Sequence, residues 1–168
     1  MAEPVQIGIL LYPDVTQLDA TGPAQVLCRV PGARLHMIWK TRDPVPTDAG
    51  FSIVPTTTFA DCPQLDVICV PGGGGQVALM TDPETLDFLR RQAAGARYVT
   101  SVCTGSLVLG AAGLLKGYKS ACHWAWRDML KDFGAIPVAE RVARIRERLA
   151  PLLESRSKAN AEAAARMP

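Results

Sequence analysis

Three short apolar segments each end at a turn-forming residue and precede a helix-like segment. The apolar segments cover residues 5–12, 65–70 and 98–102, and they end at Pro13-Asp14, at Pro71-Gly72 and at Cys103. Continuous apolar runs of this length are typical of strands buried on both faces. Strands that alternate with helices favour an α/β fold with a mainly parallel, doubly wound sheet and helices on both faces. The turns after such strands lie at one sheet edge, where binding sites form.

The remaining elements are predicted from weaker patterns. Residues 18–30 form the first predicted helix, with Pro23 in its first turn, and residues 35–39 form a second strand. Residues 51–58 alternate and are rich in β-branched side chains, which favours a short exposed strand or one arm of a hairpin. The apolar residues 105–115 predict a helix that begins directly after Cys103.

Composition excludes several classes of protein. The chain has 168 residues, the length of one ordinary domain, and its net charge of +2 is too small for an electrostatic nucleic-acid surface. The first 11 residues contain no Lys or Arg, and no apolar run reaches the roughly 18 residues that a membrane span needs. Five cysteines without a C-x-x-C pair disfavour a disulfide framework or a zinc site. We therefore expect a cytoplasmic protein without a metal.

Cys103 is the strongest candidate for chemistry. The segment Ser101-Val102-Cys103-Thr104-Gly105 places a thiol between a strand and a helix, with Gly two positions later, as in a nucleophile elbow. Backbone N–H groups at a helix N-terminus favour the thiolate, so we expect a lowered pKa for Cys103. The alternative is a small buried hydrophobic residue, which is our interpretation of Cys28, Cys69 and Cys62.

Asp19 is the second candidate. It lies between Leu18 and Ala20, immediately before Thr21-Gly22-Pro23. A carboxyl group near a thiolate and away from water has a raised pKa and can donate a proton near neutral pH. The alternative is a helix cap before Pro23, a role that Thr21 could also fill.

The glycine run Gly72–Gly75 follows a predicted strand. Its backbone N–H groups could bind an anion or a developing negative charge, or the run could be a flexible turn. It is not a dinucleotide fingerprint, because G-x-G-x-x-G requires Gly where the chain has Val77. Binding of NAD is therefore not expected.

Two histidines complete the candidates. His123 lies beside Trp124, and spacing alone does not establish a Cys-His pair, so we favour a packing or wall residue. His36 falls within the pattern of the second strand and is interpreted as structural.

Residues 5–142 resemble the DJ-1/PfpI superfamily through several ordered motifs. These are Leu18-Asp19-Ala20-Thr21-Gly22-Pro23, then Leu65-Asp66-Val67-Ile68-Cys69-Val70-Pro71-Gly72-Gly73, then the segment from Val102-Cys103-Thr104-Gly105 to Leu115, and His123-Trp124. Because Asp19 replaces the Glu of other members and Thr104 follows the cysteine, the chain looks most similar to the isocyanide hydratases.

This resemblance implies a flavodoxin-like fold, a homodimer and no cofactor. It implies that Cys103 is the nucleophile and Asp19 the acid and base, with Thr104 beside them and the backbone of Gly72 and Gly73 lining the pocket. The implied reaction adds water to a small-molecule isocyanide, R–N≡C, and gives an N-substituted formamide through a cysteine thioimidate.

Other members of the superfamily supply the alternatives. Protease-like and some glyoxalase-like members carry His after the cysteine, where this chain has Thr104. Sensor domains of AraC-type regulators share the cysteine turn and the His-Trp motif but continue into a helix-turn-helix domain, for which this sequence shows no pattern. A cysteine-based redox or ligand sensor and a glyoxalase-like enzyme therefore remain alternatives.

The composition of the chain changes after Val142, where charged residues lead into an Ala-rich end. The family-like α/β domain covers residues 1–142, and residues 143–168 are predicted to be a charged, Ala-rich helical tail interrupted at Pro151. The resemblance implies a glycine-rich strand-turn segment and a further helix after Val142, so relative to the family the domain is apparently shortened there.

Overall fold

Nine strands and four α-helices form the computed structural model, which describes residues 4–143. The strands are β1 (Val5–Leu10), β2 (Ala33–Trp39), β3 (Val45–Pro46), β4 (Ser52–Ile53), β5 (Thr57–Thr58), β6 (Val67–Val70), β7 (Tyr98–Ser101), β8 (Lys119–Ser120) and β9 (Ile136–Pro137). The helices are α1 (Gln17–Leu27), α2 (Gln76–Leu79), α3 (Pro83–Gly95) and α4 (Gly105–Ala111), and a 3₁₀ helix covers Arg127–Phe133.

The central sheet has the order β5-β2-β1-β6-β7, and all its neighbouring strands are parallel. From β1 the chain moves outward to β2 on one side, and it later returns to β6 on the other side. Right-handed crossovers in opposite directions place the connecting helices on opposite faces. The predicted doubly wound α/β fold is confirmed, and its switch point lies between β1 and β6.

The core lies on both faces of the two central strands. Ile7, Ile9 and Leu10 of β1 and Ile68 and Val70 of β6 are at most 2% exposed. Their continuous apolar character follows from this two-sided burial. The turns that follow β1 and β6 therefore begin from backbone that the core holds in place.

Two helix boundaries differ from the predicted ones. Helix α1 begins at Gln17, so Pro23 lies inside the helix rather than in its first turn. Proline has no N–H, and the carbonyl of Asp19 therefore lacks its usual partner four residues later. Helix α4 ends at Ala111 instead of residue 115, because Gly113 adopts a φ of 79° that ends the helical path.

Residues 51–58 do not form one element. Ser52–Ile53 pairs with β3 in an antiparallel hairpin, and Thr57–Thr58 pairs with β2 at the edge of the central sheet. All five cysteines are free. Cys69 is buried as predicted, whereas the prediction that Cys28 is buried is wrong, because it lies on the exposed end of α1.

The predicted helical tail lies outside the described residues, apart from residue 143. Within residues 4–143, no helix is long and apolar enough to span a membrane.

Candidate active site

Cys103 lies in the turn between β7 and α4, as predicted. Its φ of 53° is in the left-handed region, which costs a non-glycine residue about 1–3 kcal/mol. Backbone hydrogen bonds on both sides hold this conformation: Val102 N donates to Val70 O at 3.0 Å, and Gly105 N donates to Val102 O at 2.9 Å. The strained turn fixes the direction of the thiol.

The glycine turn after β6 packs directly against this elbow. A Cβ atom on Gly72 would lie 2.8 Å from Cys103 Cβ, from Thr104 N and from Thr104 Oγ1. Gly105 has no room for a side chain either, because the carbonyl of Val70 occupies that position. The close approach of the two backbones therefore requires glycine at both positions.

Asp19 lies in the first turn of α1, and its carboxylate does not cap the helix. Thr16 is the N-cap residue, which makes the capping interpretation of Asp19 wrong. Instead, Gly72 N donates a hydrogen bond to Asp19 Oδ2 at 3.2 Å, and Thr16 N donates to Gly72 O at 2.9 Å. These two bonds join the start of α1 to the glycine turn.

Thr104 is buried beside the cysteine. Its hydroxyl oxygen accepts a hydrogen bond from Gly73 N at 3.2 Å. Its backbone N–H and its hydroxyl also bind the Cys103 sulfur, and both bonds favour the thiolate. The fold thus brings together five residues that the sequence singled out, and they lie in three different turns: Asp19, Gly72, Gly73, Cys103 and Thr104.

Burial governs the protonation of the pair. It raises the pKa of Asp19, against the opposing hydrogen bonds from Gly72 N–H and from the Cys103 side chain. Burial also raises the pKa of Cys103, the Asp19 carboxylate raises it further, and the two bonds from Thr104 oppose this. The predicted lowering of the Cys103 pKa is therefore wrong, because the loss of water around the thiol outweighs the effect of the helix N-terminus. A negative charge on Asp19 disfavours ionisation of Cys103.

His123 supports the elbow through its backbone. Its N–H donates to the carbonyl of Cys103 at 3.3 Å, and its Nδ1 accepts a hydrogen bond from Ala125 N at 3.3 Å. The ring lies 5.4 Å from that of Trp124. These contacts favour the interpretation as a wall residue. His36 hydrogen-bonds Thr57 and Gln6 within the sheet, as a structural residue does.

Two residues near the site were not predicted. Tyr12 is fully buried, and its hydroxyl donates to Pro71 O at 2.8 Å, which anchors the glycine turn. Burial raises the pKa of Tyr12, and the charges of Asp19 and Cys103 raise it further. Asp48 accepts a hydrogen bond from Gln17 N at 3.0 Å. A polar residue at the end of a buried strand was a usable signal for Tyr12, whereas Asp48 has no local signature.

The model of the DJ-1/PfpI family matches residues 5–158. The chain belongs to the DJ-1/PfpI family. This confirms the resemblance that the motifs predicted.

Individual family members extend the comparison. The isonitrile hydratase of Pseudomonas putida is 61% identical over 140 residues, which cover 83% of this chain and 61% of that enzyme. The crystal structure of a ThiJ/PfpI family protein from Pseudomonas syringae is 50% identical with a TM-score of 0.83, and the match covers 87% of this chain and 61% of that one. The helix-turn-helix regulator GbdR of Pseudomonas aeruginosa strain PAO1 is 34% identical over 128 residues, covering 72% of this chain and 34% of the regulator. The chain thus spans about three fifths of the length of the isonitrile hydratase and of the Pseudomonas syringae protein.

Proposed function

We propose that this protein is an isocyanide hydratase, which adds water to R–N≡C and releases an N-substituted formamide. The observation that carries the proposal is the pairing of the partly buried thiol at the strained Cys103 turn with the Asp19 carboxyl group of α1, whose pKa is raised. The 61% identity to an isonitrile hydratase supports the same reaction. The substrate is a small molecule, and no step requires a cofactor or a metal.

The terminal carbon of an isocyanide can accept both a nucleophile and a proton. In the proposed first step, the sulfur of Cys103 bonds to this carbon while the carboxyl proton of Asp19 moves to the same carbon. The product is a thioimidate, R–N=CH–S–Cys103. Holding the donor and the nucleophile in place converts a difficult addition into an intramolecular one.

Water completes the reaction. Its oxygen bonds to the thioimidate carbon, one of its protons goes to the nitrogen, and the other passes to the Asp19 carboxylate as the C=O bond forms. The tetrahedral intermediate then breaks its C–S bond, releases R–NH–CHO and restores the Cys103 sulfur. A carboxyl group whose pKa is raised toward neutral pH suits both halves of this cycle, because it first donates and then accepts.

Three neighbouring residues have supporting roles in this proposal. Thr104 stabilises the thiolate before attack through its N–H and hydroxyl. Gly72 holds the Asp19 carboxyl, and the backbone of Gly72 and Gly73 lines the pocket. Removing the carboxyl proton by Asp19→Asn should lower kcat on the order of 10²–10⁴-fold, as expected for a general acid.

The assembly and location belong to the same proposal. We infer that the active protein is a cytoplasmic homodimer, and that residues 1–142 contain all the catalytic groups while residues 143–168 form a separate tail. Free thiols at all five cysteines fit a reducing compartment.

The decisive experiment is to incubate the purified chain with an aryl isocyanide and to measure the formamide by chromatography. Cys103→Ser should abolish turnover, because a hydroxyl group at this turn does not supply a thiolate. Cys28→Ser is the matched control, since Cys28 is an exposed thiol at the far end of α1 and should leave turnover unchanged. A folded wild-type chain without formamide formation, or a Cys103→Ser variant with wild-type turnover, would refute the proposal.

A further inference from the structure

Helix α1 receives its N-terminal cap from a distant residue. Its N-cap residue, Thr16, makes no capping hydrogen bond with its side chain. The Asp48 carboxylate takes this role from the turn between β3 and β4, where Oδ1 accepts a hydrogen bond from Gln17 N at 3.0 Å. The backbone N–H of Asp48 donates to Val15 O at 3.1 Å, which fixes the residue from its other side.

The hairpin that carries Asp48 is itself anchored to the segment before α1. Asp14 N donates to Pro46 O at 3.0 Å, and Val15 forms a bridge with Thr47. The hydroxyl of Thr47 donates to Phe51 O at 2.7 Å across the turn. These contacts therefore hold the backbone of Asp48 at the start of α1, and its exposed carboxylate reaches Gln17 N from there.

Gln17 and Asp19 belong to the same helical turn. A cap on Gln17 N fixes the backbone from which the Asp19 side chain projects toward Gly72. The negative charge of Asp48 also disfavours a second negative charge on Asp19 and so raises its pKa. One side chain thus acts on both the position and the protonation of the candidate acid.

Other ionisable groups also act on Asp19, from every element around it. Cys103 hydrogen-bonds the carboxylate and lowers its pKa, and a positive charge on His123 lowers it as well. Tyr12 and Cys69 are buried close enough for the charge of Asp19 to raise their own pKa values. Asp48 is the member of this set that lies on the exposed side, where its charge can be removed without opening the core.

We propose that Asp48 is a positioning residue for Asp19, which caps the acid-bearing turn from the hairpin between β3 and β4 and places a negative charge beside that turn. The proposal rests on the acid role of Asp19 in the proposed hydration, but its central test does not use turnover.

The test follows the protonated carboxyl group of Asp19 by infrared spectroscopy during a pH titration. The C=O stretching band of a protonated carboxyl is assigned to Asp19 by its absence from Asp19→Asn. In Asp48→Asn the amide oxygen still caps Gln17 N, but the charge is gone. We expect this variant to lose the Asp19 band at a lower pH than the wild type.

The salt dependence of the midpoint and a matched variant distinguish an effect of the Asp48 charge from a change in structure. The exposed charge of Asp48 is screened over about 10 Å at 0.1 M salt, so raising the salt concentration should move the wild-type midpoint toward that of Asp48→Asn. Asp43→Asn removes an exposed carboxylate from the loop just before β3, where it accepts a hydrogen bond from Thr41, and it should leave the midpoint unchanged. Identical midpoints in wild type and Asp48→Asn, or an equal shift in Asp43→Asn, would overturn the proposal.

Turnover tests the positioning role. Asp48→Ala loses the cap, and displacement of the acid should lower kcat for isocyanide hydration roughly ten-fold. Asp48→Asn should restore most of this loss at a pH below its own midpoint, which a merely structural defect would not predict. Equal kcat in wild type and Asp48→Ala would refute positioning. If the wild type itself makes no formamide, the hydratase proposal fails, while the infrared comparison still decides the effect of Asp48 on Asp19.

Discussion

Gly72 N donates a hydrogen bond to Asp19 Oδ2 across 53 residues of sequence. This bond crosses the switch point of the sheet, since Asp19 follows β1 and Gly72 follows β6. The same glycine contacts the cysteine elbow after β7 so closely that a Cβ atom would lie 2.8 Å from Cys103 Cβ. Gly72 is therefore the point at which the acid, the nucleophile and the parallel sheet meet.

Gly72→Ala should displace the elbow. The added methyl group would lie 2.8 Å from two backbone or Cβ atoms that cannot move aside easily, Cys103 Cβ and Thr104 N. We expect a loss of about 1–3 kcal/mol in the free energy of unfolding, measured by urea denaturation, together with loss of thiol reactivity at Cys103.

Gly22→Ala is the matched control for that variant. Gly22 lies inside α1, and its added Cβ would make an ordinary contact with Leu18 Cδ1 at 3.9 Å. Ala is the better helix former, but its Cβ also meets the ring of Pro23, which follows it, so the two effects oppose each other and this variant should change stability by less than about 1 kcal/mol. Equal effects of the two substitutions would show that the approach of Gly72 to the elbow is not tight.

Thr104→Val should raise the pKa of Cys103. The hydroxyl of Thr104 favours the thiolate, and valine removes it while keeping the shape of the side chain. The pH midpoint for alkylation of Cys103 by iodoacetamide should therefore move upward, and Thr104→Ser should restore it. Cys69 is a buried thiol that both variants retain, and its slow reaction with iodoacetamide serves as the internal reference. A midpoint that does not change in the valine variant would show that the hydroxyl does not act on the thiol.

Because the backbone of Cys103 is left-handed, glycine should be more stable than alanine at this position, which reverses their order in a helix. At a φ of 53°, alanine retains the strain of any side chain, whereas glycine does not. Cys103→Gly should therefore be more stable than Cys103→Ala, by about 1 kcal/mol in urea denaturation. In the exposed helical position Ala94, the same change from alanine to glycine should cost about 1 kcal/mol. A lower stability of Cys103→Gly than of Cys103→Ala would argue against the strained elbow.

The parts of the site that sequence predicts are those whose signals are contiguous. The strand, the thiol and the helix around Cys103 adjoin one another, and so do the strand and the glycines around Gly72. The position of Pro23 relative to the first turn of α1 was mispredicted, because the residue that caps this helix, Asp48, lies 31 residues from Gln17 in the sequence. No local pattern records a contact of that length.

The protonation of Cys103 was mispredicted for a related reason. A helix N-terminus is visible in the sequence, but the burial of the thiol and its proximity to Asp19 depend on how β1, β6 and β7 are arranged. Desolvation then decides the sign of the shift. Local features thus predicted residues that the fold brings together, and tertiary structure determines whether the thiol and the carboxyl group keep their protons.

Asp19 and Asp61 should have opposite effects on stability as pH changes. Burial raises the pKa of Asp19 above its value in the unfolded chain, so the folded state is destabilised once Asp19 ionises. The wild type and Asp19→Asn should have similar free energies of unfolding below the unfolded pKa. As pH rises through the folded pKa of Asp19, the wild type should lose stability relative to the variant, which is therefore the more stable protein at high pH.

Asp61 supplies the contrasting case. Hydrogen bonds from the side chain and backbone of Thr58, and then from Arg42, lower the pKa of Asp61 to about 2. Its contribution is present above the unfolded pKa and is lost as pH falls through the folded value, so Asp61→Asn should destabilise at neutral pH and cease to do so in acid. Urea denaturation of both variants and the wild type across this pH range measures the two trends. Trends of the same sign would contradict the burial of Asp19, and with it the reason that this carboxyl keeps a proton to donate.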